Sequence, residues 1–121
     1  MLFAAGFGTR MKHLTANQPK PLLRVSGKAL IDHSLEIARA VKPEIILANL
    51  HYLPHTLVDH LAGSEVQTII ETPDILETGG GLRNALPIFG EAPVVTMNTD
   101  AIWQGPNPIQ LALDAWKPDH M

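Results

Sequence analysis

The sequence predicts an α/β fold, a mostly parallel sheet with helices on both faces. Short apolar runs typical of buried strands alternate along the chain with segments whose apolar residues recur at helical spacing. Such an alternation forms βαβ units, whose strands are parallel and whose connecting helices cover the sheet. At 121 residues, the chain is long enough for one domain with a buried core and too short for two.

The first half of the chain contributes two strands and two helices to this prediction. Strands are expected at residues 1–5 and 44–49, and an amphipathic helix at residues 30–41. A second helix begins at Pro54 and ends at Gly63, because proline suits a first helical turn and glycine suits a C-terminal cap.

The second half adds two more strands, at residues 66–71 and 93–97. A loop from residue 72 leads through three glycines into a short helix that stops near Pro87. Asn107 caps a final helix. The residues expected on its buried face are Ile109, Ala112, Leu113 and Trp116. Trp103 is likewise expected to pack in the core or against a loop.

The composition excludes several classes of protein. The chain is 45% hydrophobic and 17% charged, as ordinary globular domains are. It lacks the run of about 18 apolar residues that a membrane span needs and the layout of a signal peptide, so no membrane partner and a cytoplasmic location are expected. The absence of cysteine excludes disulfides, thiolate metal sites and a cysteine nucleophile.

Charge is distributed unevenly along the chain. Residues 1–31 hold five of the nine Lys and Arg residues and none of the twelve acidic ones. This asymmetry indicates either an anion site near the N-terminus or a solvated basic face. Nucleic acid is not an expected partner, because the net charge is −3 and no basic-aromatic interleaving is present.

A glycine-rich turn after the first predicted strand suits a polyphosphate. Gly6 and Gly8 let the backbone approach phosphate groups and point N–H groups at them. Arg10 offers a planar fork of donors, and Lys20 a compact charge between two prolines. The dinucleotide-binding and Walker A patterns both fail, since residue 11 is Met and no Gly-Lys-Ser/Thr follows. The alternative is a surface turn followed by a proline-rich loop.

Three segments are expected to meet at one edge of the sheet. The loop at residues 6–20, the turn at residues 77–81 and Asp100 each follow a predicted strand. Ligands of open α/β sheets bind beyond the carboxyl ends of the strands, so these segments should converge there. Asp100 could be a simple turn former, but beside a triphosphate its carboxylate suits Mg²⁺.

The combined motifs resemble the signature of the sugar-phosphate nucleotidyltransferase family. The residues that carry the resemblance are Ala-Ala-Gly-x-Gly-Thr-Arg-Met at 4–11, Thr15, Pro-Lys-Pro-Leu at 19–22, Gly27-Lys28 and Asn-Thr-Asp at 98–100. The resemblance covers essentially the whole chain. It implies a Rossmann-like nucleotide-binding fold, Mg²⁺ dependence, and a reaction of an NTP with a sugar 1-phosphate that releases pyrophosphate.

Two further motifs indicate which members of the family this sequence resembles most. Asn-Leu-His-Tyr at 49–52 and Leu-Glu-Thr-Gly-Gly-Gly at 76–81 look most like the bacterial N-acetylmuramate α-1-phosphate uridylyltransferases of cell-wall recycling, which implies UTP as the NTP. Mannose-1-phosphate guanylyltransferases and other NDP-sugar pyrophosphorylases are the alternatives. A non-catalytic nucleotide-binding module or truncated paralogue is a second alternative.

The resemblance also implies roles for individual residues. Arg10 would bind the triphosphate and Lys20 the α-phosphate as charge develops there, which makes them the catalytic pair. Asp100 would bind magnesium. The residues implied in nucleotide binding are Ala4, Ala5, Gly6, Gly8 and Thr9 after the first strand, and Glu77, Thr78, Gly79 and Gly80 in the loop that holds base and ribose.

Family members supply a second metal ligand and most of the sugar pocket later in the chain. We therefore expect residues 1–121 to be the nucleotide-binding N-terminal portion of a single nucleotidyltransferase domain, with its C-terminal sugar-binding portion absent.

The histidines suggest a zinc site that we reject. His51, His55 and His60 have a spacing that could face one side of a helix, but Pro54 separates the first two and no third close ligand is evident. Solvated or locally hydrogen-bonded histidines are expected instead.

Overall fold

The computed structural model describes residues 1–120, and Met121, the last residue of the predicted domain, lies outside them. The strands, in chain order, are β1 (Leu2–Phe3), β2 (Arg24–Val25), β3 (Lys28–Ala29), β4 (Leu47–Leu50), β5 (Gln67–Ile70) and β6 (Met97–Asn98). The α-helices are α1 (Leu30–Ala40), α2 (Pro54–Leu61), α3 (Glu77–Phe89) and α4 (Pro108–Ala115). Short 3₁₀ segments span Thr9–Thr15, Lys20–Leu22 and Pro118–His120.

Four of the strands form a parallel sheet in the order β5-β4-β1-β6. Phe3 of β1 pairs with Asn49 of β4 on one side and with Asn98 of β6 on the other. The chain builds outward from β1 through β4 to β5 and then returns to add β6 on the opposite side. β1 and β6 therefore flank the point where the strand order reverses, the usual ligand crevice of such sheets.

Helices cover both faces of this sheet, as predicted. Leu2, Ala48 and Leu50 point to one face, where they form a core with residues of α1, α2 and α4. Leu47 points to the other face and packs with Ala85 of α3. Side chains alternate between the two faces because successive strand residues point in opposite directions. The predicted α/β class is confirmed.

A two-stranded hairpin, absent from the prediction, joins the N-terminal loops to α1. β2 and β3 pair antiparallel across the two-residue turn Ser26-Gly27. Both turn residues have positive φ, +53° and +78°, as a type I′ turn requires. Each strand has only two residues, which is too short for an alternating pattern to identify it.

The loop after residue 72 and the helix that follows it are present, but their predicted bounds are wrong. Helix α3 begins at Glu77, so Gly79, Gly80 and Gly81 lie within it. Pro87 lies inside the last turn without ending the helix. The helix ends before Gly90, whose φ of +66° suits a C-terminal cap.

The predicted buried face of the last helix is confirmed at Ile109 and wrong at the residues that follow it. Asn107 caps α4 as expected, accepting hydrogen bonds from the N–H groups of Ile109 and Gln110. Ile109 is buried, but Leu113 is 39% exposed. Trp116 and Trp103 are 42% and 51% exposed, so neither tryptophan is a core residue. Helical spacing places the apolar residues on one face of α4. Within the described residues, only the first turn of that face, at Ile109, is packed against the rest of the chain.

All four predicted strands are present, but with different bounds. Of the strand expected at 93–97 only Met97 belongs to the sheet, as the first residue of β6, although the N-terminal amine of Met1 donates to the Val95 carbonyl at 2.6 Å. Burial lowers the pKa of that amine to about 6. Within the described residues, no helix has the length and hydropathy needed to cross a bilayer.

Candidate active site

A cavity of about 390 Å³ opens at the carboxyl ends of the parallel strands. It lies beside β1 and β6, where the strand order reverses. Its lining comes from the segment after β1, from β6 and the residues that follow it, from the N-terminus of α3, and from Asn49 of β4. The residues that line it include Ala4, Ala5, Gly6, Phe7, Gly8, Thr9, Arg10, Lys20, Asn49, Glu77, Thr78, Asn98, Thr99 and Asp100.

The first side of the cavity is the loop that follows β1. Gly8 has φ +63° and ψ +26°, a left-handed conformation that glycine adopts without strain. The buried Thr15 hydroxyl donates to the Gly8 carbonyl at 3.0 Å, and the Tyr52 hydroxyl donates to the Thr15 carbonyl at 2.7 Å. Thr15 and Tyr52 thus fix the position of the loop. Arg10 lies in the 3₁₀ segment that follows Gly8 and is exposed at the mouth of the cavity.

The second side follows β6. The Thr99 hydroxyl donates to the Phe3 carbonyl at 2.8 Å, which fixes the end of β6 against the end of β1. Asp100 comes next, and its Oδ2 lies 2.8 Å from the Lys20 ammonium. These side chains are 43% and 23% exposed, respectively. Residues that are 80 positions apart therefore form an ion pair at the mouth of the cavity.

The third side is the N-terminus of α3. Glu77 has φ +59°, which turns the chain sharply into the helix, and Thr78 follows it at the cavity wall. The Leu76 N–H just before the helix donates to Oε2 of the buried Glu71 at 2.8 Å. The Glu77 carboxylate lies in the first turn, at the positive end of the helix dipole, where a negative charge is stabilised.

A family comparison agrees with this geometry. The family model of the MobA-like NTP transferase domain matches residues 1–121. The chain belongs to this family. The resemblance to nucleotidyltransferases that the motifs suggested is therefore confirmed.

Curated relatives show how far the similarity to this domain extends. The N-acetylmuramate alpha-1-phosphate uridylyltransferase of Caulobacter vibrioides is 39% identical over the whole of this chain and 54% of that protein. The enzyme of the same name from Neisseria meningitidis serogroup B is 38% identical over 84% of this chain and 46% of that protein. The chain thus spans about half the length of the curated relatives that it matches.

A solved structure shows the same fold. The crystal structure of HddC from Yersinia pseudotuberculosis complexed with GMP-PN superimposes with a TM-score of 0.68 at 30% identity, covering 82% of this chain and 46% of that one.

Most residues that the sequence assigned to the site line this one cavity. Arg10, Lys20 and Asp100 are among them, so the predicted convergence of the three segments is confirmed. The others are Ala4, Ala5, Gly6, Gly8, Thr9, Glu77 and Thr78. Gly79 and Gly80 do not line the cavity, because they continue helix α3 behind Thr78.

Sequence reasoning missed other residues at or beside the site. Phe7 lines the cavity, with its ring 5.1 Å from His51 in an edge-to-face contact. Asn49 lines it as well, and its side chain hydrogen-bonds to Glu71. A polar residue within or directly after an apolar strand was the signal available for Asn49 and Glu71.

The histidines bond to separate partners. His51 Nδ1 lies 2.8 Å from the Glu71 carbonyl, and His60 Nε2 lies 2.9 Å from an oxygen of Asp32. The local hydrogen bonding expected for histidines is thus observed at these two.

The donor set fits a magnesium ion shared with a ligand better than one held by protein alone. Asp100 contributes a hard carboxylate oxygen at the cavity mouth, and the amide of Asn98 lines the same wall. Magnesium is commonly held by one or two carboxylates together with phosphate oxygens and waters. Lys20 bonds to one carboxylate oxygen of Asp100 and would have to share or release it.

Proposed function

We propose that this chain is the nucleotide-binding part of an enzyme that transfers a uridylyl group from UTP to a sugar 1-phosphate, forming a UDP-sugar and pyrophosphate. The observation that carries the proposal is the single cavity lined by Arg10, Lys20 and Asp100 at the strand ends. N-acetylmuramate 1-phosphate is the favoured acceptor, since the two relatives at 39% and 38% identity carry that name. The reaction would belong to cytoplasmic cell-wall recycling.

The reaction is an in-line displacement at the α-phosphorus. A phosphate oxygen of the sugar 1-phosphate attacks that phosphorus, and the bond to the bridging oxygen of the β-phosphate breaks. The attacking oxygen is already anionic, so no general base is required. The protein contributes alignment of two polyanions and stabilisation of the charge that develops between them.

Different residues of the cavity are proposed to bind the triphosphate, to stabilise the α-phosphate and to hold magnesium. Backbone N–H groups of the Gly6–Gly8 loop and the fork of Arg10 bind the triphosphate. Lys20 holds the α-phosphate oxygens as negative charge builds on them. Asp100 would hold a magnesium ion, whose charge shields the triphosphate from the incoming phosphate.

A bound nucleotide would have to separate the Lys20–Asp100 ion pair. This pair keeps both side chains at the mouth, 2.8 Å apart, where each is partly shielded from water. On nucleotide binding, Lys20 would bond to a phosphate oxygen, and the Asp100 carboxylate would be available to hold a magnesium ion. A half-exposed pair of this kind contributes little net stability, so separating it costs little.

The base and ribose are assigned to the wall formed by Glu77 and Thr78, with Gly79 and Gly80 behind it in α3. A guanylyl donor is the second candidate for this wall. It is favoured by the GMP-PN complex of the HddC structure at 30% identity. A mannose-1-phosphate guanylyltransferase is the form of this alternative that the motifs suggest.

Lys20→Ala tests the proposal. In the whole enzyme of which this chain is proposed to be a part, we expect kcat for pyrophosphate release from UTP and N-acetylmuramate 1-phosphate to fall by about 100-fold or more, while the Kd for UTP rises less than about tenfold. Lys28→Ala is the matched control, because Lys28 also forms an ion pair, with Glu36, on an exposed surface.

Three outcomes would contradict parts of this account. Normal turnover by Lys20→Ala would refute the catalytic assignment. Preference for GTP with mannose 1-phosphate in the same assay would establish the alternative donor and acceptor. Saturable UTP binding by the whole protein, without pyrophosphate release from any NTP and sugar 1-phosphate pair, would identify a non-catalytic nucleotide-binding module.

A further inference from the structure

A buried polar link lies beneath the cavity and joins two of its three sides. The side chains of Asn49 and Glu71 are almost inaccessible, and the residues are 2% and 1% exposed. Asn49 Nδ2 donates to Glu71 Oε1 at 2.7 Å. The Ala4 N–H, at the start of the glycine loop, donates to Asn49 Oδ1 at 3.1 Å, and the Leu76 N–H, at the entry to α3, donates to Glu71 Oε2 at 2.8 Å.

The hydrogen bonds of these four groups converge on the Glu71 carboxylate from two sides. Ala4 donates to Asn49, Asn49 donates to Glu71, and Leu76 donates to the other oxygen of Glu71. Both carboxylate oxygens therefore act as acceptors. Each of these four groups therefore has a hydrogen-bond partner.

Helix α3 is packed directly on this link. A Cβ added at Gly81 would lie 2.7 Å from Glu71 Oε1 and 2.8 Å from Asn49 Nδ2. Only hydrogen atoms fit there, so the first turns of α3 are held at a fixed height above β4. A buried carboxylate costs free energy unless it is well bonded, and apolar residues could fill the same volume. The polar pair thus supplies geometry that apolar packing would not.

We propose that Asn49 and Glu71 are positioning residues that set the spacing between the loop after β1 and the N-terminus of α3. The inference rests on the proposed function, in which these two segments bind the phosphates and the base of one nucleotide. Losing the link leaves the fold in place but lets the two walls take up other separations. Apparent nucleotide affinity then falls in proportion to the fraction of molecules with the correct spacing.

Two substitutions that exchange the amide and the carboxylate between positions 49 and 71 test the positioning role. In Glu71→Gln, the new NH₂ faces either Asn49 Nδ2 or the Leu76 N–H, so two donors oppose each other. In Asn49→Asp, two carboxylates oppose each other. In the double variant, Asp at 49 accepts from the Ala4 N–H and from the Gln amide at 71, whose oxygen accepts from Leu76. All four groups are again satisfied, with the net charge unchanged.

The measurement is the Kd for UTP with Mg²⁺ by titration calorimetry, with circular dichroism and urea unfolding as the check on folding. We expect each single variant to bind UTP roughly tenfold or more weakly, the effect of one unsatisfied buried group. The double variant should return to within about threefold of the unchanged chain. Glu91→Gln, the same change at an exposed residue, should leave the Kd unchanged.

The outcomes separate this inference from the proposed function. If the unchanged chain does not bind UTP, the proposed function fails first. If it binds UTP and the single variants, folded, bind equally well, the link has no positioning role. If the single variants do not fold, the double variant decides, since near-normal UTP affinity supports the inference. A double variant that stays weak or does not fold overturns it, because its hydrogen bonds have been restored.

Discussion

Replacing Gly8 by alanine should damage the candidate site by two separable effects. Alanine in the left-handed conformation observed here, φ +63°, costs about 1–2 kcal/mol. The added Cβ would lie 2.9 Å from Thr15 Cγ2 and 3.1 Å from Lys20 Cβ, an overpacked contact worth about 1–3 kcal/mol. Together these lower the free energy of unfolding by roughly 2–5 kcal/mol, a large part of the roughly 5–15 kcal/mol typical of a domain.

Two other glycines provide matched controls in urea unfolding. Gly27 has φ +78° and an added Cβ there would touch nothing within 4 Å, so Gly27→Ala should show only the conformational cost. Gly6 has neither a positive φ nor a neighbour within 4 Å, so Gly6→Ala should change stability by less than about 0.5 kcal/mol. The destabilisation should therefore increase in the order Gly6→Ala, Gly27→Ala, Gly8→Ala.

The same variant should affect binding as well as stability, since the added methyl group pushes on the backbone that carries Lys20. UTP affinity of folded Gly8→Ala should be lower than that of folded Gly27→Ala. A destabilisation of Gly8→Ala no larger than that of Gly27→Ala would refute the reasoning. It would mean that Thr15 and Lys20 do not contact the loop as described.

Two further predictions concern the rest of the fold. Asn107→Ala removes the N-terminal cap of α4 and the hydrogen bond to the Ile37 carbonyl at 2.9 Å, so urea unfolding should show a loss of about 1–2 kcal/mol; a change below about 0.3 kcal/mol would show that the cap is not formed. The Arg39 guanidinium, which donates to both oxygens of Glu65, holds the pKa of that carboxyl at about 2 instead of the ordinary 4.5. Because the folded-state pKa is lowered, the stabilisation by this pair is present above pH 4.5 and is lost as pH falls toward 2. NMR titration of the Glu65 carboxyl group measures this pKa, and a value near 4.5 would contradict the prediction.

Strand ends could be predicted from the sequence because they depend on local pattern and one topological rule. Apolar runs located β1 and β6, and parallel strands bring their carboxyl ends to one edge. Lys20 and Asp100, although far apart in sequence, were therefore expected at one mouth. The observed ion pair at 2.8 Å agrees with that expectation.

Other features depend on which surfaces meet, and a single sequence does not contain that information. Three consecutive glycines predicted a break, yet helix α3 accepts Gly81 because only a residue without a side chain fits against Asn49 and Glu71. Tertiary packing here overrides weak helix propensity. Similarly, the helical spacing in α4 was correct, but nothing in it indicated that Trp116 would stay exposed.

The Asn49–Glu71 link shows the same limit at the site itself. Each residue could be noticed as a polar group next to an apolar strand. Their contact depends on the register of β4 and β5, in which Asn49 pairs with Ile69 and Leu50 with Ile70, so that Glu71 follows at the strand end. Register is set by the packed sheet and is not visible in either strand alone.

The most direct test of the central claim is an amide NMR titration of this chain with Mg²⁺ and UTP, because it reports where a nucleotide binds before any chemistry occurs. The largest saturable shifts are expected in the loop at residues 4–10, at Glu77 and Thr78, and at Thr99 and Asp100. Shifts gathered instead around the apolar cavity at the opposite ends of the strands, near Ile46 and Phe89, or no saturable shifts at all, would contradict the account.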